Sequence, residues 1–232
     1  MMKLSCRLFT CLSLCIIVVF TSCLTPRKID KWTAEHYGTT VNTKIKNNDY
    51  ITIKASNTGD IVSVSEKRKF KLIPALIYWQ WEYGTNTKIN QAVPTNYFNT
   101  TILPYANIKK LKDKLNGQKL ELTVNNVPAV FSVVDKGWVV YLLLWYVGNE
   151  HIYIDPEKQD MEIGYRLLKD NVETKKGMIT VANRNKAVEV KVFHSTKKTY
   201  WACLDQYNAN IQAMSKEAID KLIMEISSQV NP

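Results

Sequence analysis

Beyond Gly38 most of the chain reads as strands, and that pattern limits what it can fold into. Tyr50-Ile-Thr-Ile-Lys54 and Ile61-Val-Ser-Val-Ser65 alternate apolar and polar side chains, as half-buried strands do. Asn57-Thr58-Gly59-Asp60 between them is turn chemistry, so the pair is expected to close as a hairpin. Residues 72–83 are denser in aromatics. Read as one strand, they put Ile77, Trp79, Trp81 and Tyr83 on one face and Tyr78, Gln80 and Glu82 on the other. Pro74 marks an edge or a bulge at the start of that strand. Such a strand is either an aromatic ligand platform built on Trp79, Trp81 and Tyr83, or a core strand covered by a helix.

Residues 119–153 read as a meander. Leu120, Leu122 and Val124 precede Asn125-Asn126, a tight-turn pair. A strand at 130–134 is followed by Asp135-Lys136-Gly137, a second turn, and 138–147 is apolar on both faces, as a central strand would be. Further strands are expected at 152–154, 162–168, 178–182 and 187–193. A helix is expected at 107–115, with Asn107 as its cap, Ile108, Leu111 and Leu115 on one face, and Gly117 just past its end. Lys109, Lys110, Lys112 and Lys114 form either a solvated face or a contact for anionic headgroups. From about Asn208, Ile211, Met214, Ala218, Leu222 and Ile226 recur at helical spacing, widened by Ile219, Ile223 and Val230. Glu217 and Lys221 are an i,i+4 pair of favourable order on the opposite side. The expected fold is α+β: a largely antiparallel sheet with helices on one face and a long amphipathic C-terminal helix.

The N-terminus carries a different signal. Residues 1–7 hold Lys3 and Arg7 and no acid, residues 8–20 are nearly all apolar, and Thr21-Ser22 are small residues before Cys23. The apolar run falls short of the about 20 residues that span a bilayer. Phe20-Thr21-Ser22-Cys23 resembles the bacterial lipobox, Leu-[Ala/Ser/Thr]-[Gly/Ala/Ser]-Cys, with Phe20 in place of the usual Leu. The Thr-Ser-Cys ending is similar to lipoprotein precursors of the Bacteroides group. The resemblance covers about the first tenth of the chain. It implies a signal peptide over residues 1–22, lipid on Cys23, a polar extended tether over 23–31 carrying Pro26, Arg27 and Lys28, and a single α+β envelope domain over 32–232.

That division agrees with the cysteines. Cys6, Cys11 and Cys15 fall in the leader, so a mature chain keeps Cys23 and Cys203, and one leftover thiol makes no internal disulfide. Removing Lys3 and Arg7 lowers the formal net charge from +10 to +8. A basic balance suits anionic partners such as lipid headgroups, or serves solubility alone. Nucleic acid is not an expected partner in the envelope. Leu24 stands where inner-membrane retention signals place an aspartate. Arg27 and Lys28 occupy the place where surface-export signals of the Bacteroides group cluster acids. The family pattern therefore points to the outer membrane, with the domain facing the periplasm.

Catalytic motifs are absent. The chain has no Gly-x-Ser-x-Gly, no glycine-rich phosphate loop, no His-Glu-x-x-His and no Cys-x-x-Cys. Cys203, His194 and Asp205 can be drawn as a thiol hydrolase, but Ala202 and Leu204 flank the cysteine as they would a buried structural thiol. His151, Asp155 and Glu157 match no standard metal spacing, and no cofactor or metal is expected. A strand-rich domain followed by a long amphipathic helix is similar in outline to auxiliary lipoproteins of ABC-type envelope lipid-transport systems. This is likeness of element order, and it transfers no functional residue. The expectation is a non-enzymatic accessory or structural lipoprotein of an envelope transport or assembly system, with an unidentified envelope protein as possible partner. The alternatives are a lipid- or glycan-binding lipoprotein using the aromatic strand, and an envelope enzyme.

Overall fold

The structure, a computed structural model, describes residues 25–37, 48–55, 62–73, 77–142, 145–156, 158–191 and 195–227. In chain order its elements are α1 (Pro26–Tyr37), β1 (Ile51–Ala55), β2 (Val62–Ile73), β3 (Tyr78–Ile89), α2 (Ala92–Ile108), α3 (Leu111–Lys114), β4 (Lys119–Asn126), β5 (Val130–Leu142), β6 (Trp145–Pro156), β7 (Met161–Lys169), β8 (Val172–Val181), β9 (Val188–Val190) and α4 (Thr196–Ser227). The class is α+β with a long amphipathic C-terminal helix, and the strands divide between two sheets. One has the order β1-β4-β7-β8 and the other β2-β3-β5-β6-β9. Among the described residues every pairing is antiparallel except β1 with β4.

The two-sheet arrangement corrects several expectations. β1 and β2 form no hairpin: Ile51–Ala55 pairs with Leu120–Val124 in one sheet, and β2 pairs with β3 in the other. The supposed strand 72–83 contains the junction of an antiparallel pair, because β2 ends at Ile73 and β3 begins at Tyr78. Asp135-Lys136-Gly137 is continuous strand in the middle of β5, and the 138–147 stretch is divided between β5 and β6. The meander breaks between β4 and β5, which belong to different sheets. The helix expected at 107–115 also divides. Asn107 and Ile108 close α2, Lys110 sits at φ +53°, and α3 is a single turn. Gly117 follows at φ +79°, in the left-handed region where glycine is favoured. α2 was unforeseen.

Residues expected in an extended tether fold instead as the first turn of α1. Pro26 suits a first helical position, where no amide partner is needed. Ile29 is fully buried, and Thr33 Oγ1 lies 2.8 Å from the Tyr200 hydroxyl.

α4 joins the two sheets. Its first half meets the five-stranded sheet: Tyr207 packs edge-on against Phe131, with centroids 4.9 Å apart, and its hydroxyl donates to the Pro128 carbonyl. Its second half meets the four-stranded sheet, where Tyr165 donates to Glu225 and Lys221 donates to the Thr180 carbonyl. The foreseen apolar stripe from Ile211 to Ile226 is buried; Val230 lies outside the described residues. Glu217 and Lys221 pair at 3.1 Å. The helix begins twelve residues earlier than its apolar period suggested, at Thr196.

Candidate binding surface

β2, β3, β5 and β6 run alternately up and down, so Ile73, Tyr78, Leu142 and Trp145 all lie at one end of the five-stranded sheet. The core covers the other end. Side chains alternate along a strand, and the inward set on β3 runs Ile89, Thr87, Thr85, Tyr83, Trp81, Trp79. Its first three members are buried, the next two are half-buried, and Trp79 is 39% exposed. The sheet therefore continues past its cover. From Thr85 to Tyr78 is seven residues, about 24 Å of strand at roughly 3.4 Å per residue.

On this uncovered end the inner face is aromatic. Phe70 and Trp79 meet edge-on at 5.5 Å, Trp79 and Trp81 at 6.4 Å, and Tyr141 and Tyr146 lie 6.1 Å apart on neighbouring strands. Register explains the cluster. Trp79 stands between Leu72 and Val139, and Trp81 between Phe70 and Gly137. The outer face is also apolar at this end, where Tyr78 and Trp138 stack with planes 25° apart and Trp145 is 78% exposed. The first residue of the end, Ile77, holds φ +46°, a costly conformation for a β-branched side chain. The Tyr141 amide, bonded to its carbonyl at 3.2 Å, fixes it.

Two carboxyls edge the inner face. Asp135 accepts a 2.9 Å bond from the Trp81 indole N–H. Burial raises the Asp135 pKa, and the Trp81 bond offsets this in part. Burial also raises Glu150, with the Asp135 charge adding to it. The structure thus brings Trp79, Trp81 and Tyr83 onto one face, as the alternation indicated. The helix cover of the competing expectation reaches only the lower part of β3. Sequence reading missed Phe70, Trp138, Tyr141, Trp145 and Tyr146. The signal was present: no charged residue occurs in 72–81 or in 137–149, and pairing these two stretches side by side was the missing step.

Among the described residues the other candidate sites do not assemble. Cys203 is 4% exposed, and burial pushes its thiol up to about 11, so it stays protonated at neutral pH. Asp205 is engaged by His36 at 3.0 Å, and His194 lies outside the described residues. His151 hydrogen-bonds Asn149 and Glu189 across the outer face, Glu157 lies outside the described residues, and no metal-ligating cluster exists among the described ones. Lys109 pairs with Asp220 at 3.0 Å and so belongs to the fold's own contacts. Among the described residues no helix is long and apolar enough to cross a membrane. Cys23 lies outside the described residues. No protein-family model, curated protein or solved structure matches the chain.

Proposed function

We propose that this chain is a membrane-anchored lipoprotein of the cell envelope, held by lipid on Cys23 and acting as a non-enzymatic accessory of a transport or assembly system. Its working surface is the uncovered end of the five-stranded sheet. The observation that carries this reading is the concentration of exposed large apolar side chains there, with Phe70, Leu72, Trp79, Tyr141, Trp145 and Tyr146 all at least a third exposed. A soluble protein rarely leaves so large a contiguous apolar patch without a use for it. The lipobox-like Phe20-Thr21-Ser22-Cys23 supports the anchor.

Replacing Cys23 with Ala tests the anchor. The variant is expected to accumulate as uncleaved precursor without acyl chains, read by mass spectrometry of its N-terminus. Maturation of the variant to the same N-terminus as wild type would sink the assignment.

A second reading has its own observation. Trp79 and Trp81 stand beside the Asp135 and Glu150 carboxyls on the inner face, the combination that stacks on a sugar ring and accepts its hydroxyls. It makes the surface a glycan platform that uses one face of the sheet only.

A further inference from the structure

We propose that the uncovered end of the five-stranded sheet seats in the headgroup layer of a phospholipid bilayer, with lipid against both of its faces. The inference deepens the envelope reading above, because an anchored chain keeps this end near a leaflet, yet it does not require lipid on Cys23.

The first argument is two-sidedness. On the inner face Leu72, Tyr141 and Tyr146 are exposed, and on the outer face Trp138, Trp145 and Val147 are exposed. A glycan stacked on Trp79 and Trp81 would lie against the inner face and leave the outer one in water. A bilayer surrounds an inserted end on both.

The second argument is the order of side chains along the strands. The end itself is free of charge. Lys71 lies two residues in from Ile73, Glu150 stands in the next row beside Gly137, and the Lys69, Glu82 and Lys136 row follows, each of these three the cross-strand neighbour of the next. Lys71 and Lys136 are exposed. Trp145, Tyr141 and Tyr146 lie at the tip, Tyr78 and Trp79 behind them, and the lysines farther in, which suits a membrane interface, where amphipathic rings sit at headgroup level and lysines reach lipid phosphates.

Depth is the third argument. Five residues separate Glu82 from Ile77, about 17 Å of strand, well short of a roughly 30 Å hydrocarbon core. The outer edges of β2 and β6 have no strand partner here among the described residues, since β9 reaches β6 only at Ile152–Ile154. Unpaired backbone is costly in hydrocarbon. The end therefore stops in the hydrated interface and does not cross.

The test uses the full chain purified from membranes and reconstituted in phosphatidylcholine–phosphatidylglycerol vesicles. Acyl chains brominated near the headgroup quench nearby tryptophans on contact. At least a twofold loss of emission relative to unbrominated vesicles is expected. Trp79→Phe, Trp138→Phe and Trp145→Phe together should remove most of the quenchable emission, whereas Trp201→Phe, in α4, should leave it. Because Tyr146 and Val147 are exposed, Tyr146→Glu with Val147→Lys should fold normally and lose the quenching. Unquenched tryptophans in wild-type protein that floats with the vesicles would overturn the proposal and leave the anchor standing. Quenching by membrane-purified wild-type protein whose N-terminal peptide proves by mass spectrometry to carry no lipid on Cys23 would sink the anchor and leave this proposal. Quenching abolished by envelope oligosaccharide, or emission changes that follow self-association without vesicles, would assign the surface to a glycan or a second copy instead.

Discussion

Trp81 lies flat against its neighbouring strand because position 137 is glycine. A Cβ there would come 2.4 Å from Trp81 Cζ2, with no flexible tip to move aside. The glycine thus lets the indole reach Asp135, and the aspartate holds the indole in place. The bond has a cost, since burial makes the charged carboxylate less favourable than in water. The sign follows from linkage. A carboxyl whose pKa is raised on folding binds its proton more tightly in the folded state, so it destabilises at pH values above the folded pKa. That penalty disappears as pH falls through the folded pKa toward 3.8. Asp135→Asn keeps an oxygen for the indole and removes the charge. Its melting temperature should equal or exceed that of wild type at pH 7, and the difference should shrink as pH approaches 4. A variant markedly less stable at neutral pH would show that the Trp81 bond needs the full negative charge.

At the scale of elements, α4 is the member on which both sheets depend, through Tyr207 at one end and Glu225 at the other. Ile211 lies between these contacts and is fully buried. Ile211→Ala should cost about 2–5 kcal/mol, as other large-to-small core changes do. Helix signal and tryptophan emission should shift together in denaturant, and two separated transitions would show that the sheets unfold independently. The sequence made this helix's apolar stripe legible because its period is unambiguous. Its first three turns were missed, since Tyr200, Cys203, Leu204 and Tyr207 are interleaved with Trp201 and polar residues that blur the period. Most strands were legible from alternation, and their partners were not. Nothing local in Tyr50-Ile-Thr-Ile-Lys54 says that it pairs with Leu120–Val124 and not with the similar stretch that follows it. α2 was hidden by Pro94 and Pro104, yet Pro94 falls in its first turn, where a missing amide costs little. The turn between β7 and β8 was also overlooked: Asp170 and Asn171 hold φ +51° and +64°, a conformation that Asp and Asn tolerate better than most residues. Trp79, Trp81 and Tyr83 were legible as one face because that inference needs only the pleat. The rest of the surface required knowing that β5 and β6 lie beside them.

At the scale of the whole molecule, the orientation expected from the residues after Cys23 can be tested directly. A domain that faces the periplasm from the outer membrane should resist protease added to intact cells and be cut once the outer membrane is opened. Rapid digestion on intact cells, with periplasmic proteins protected, would place it outside. The parallel pairing of β1 with β4 bears on how the chain acquires its fold. Any chain delivered from its N-terminus, by ribosome or translocon, presents β1 before everything between Ala55 and Lys119. Until β4 emerges, the edge that it will fill stays open, and the buried sides of both sheets wait longer still for α4, the last described element to appear. Long-range pairing of this kind is slow and exposes sticky surface while it is incomplete. Truncations that remove α4 are therefore expected to stay unfolded, read as rapid digestion of the residual chain in limited proteolysis.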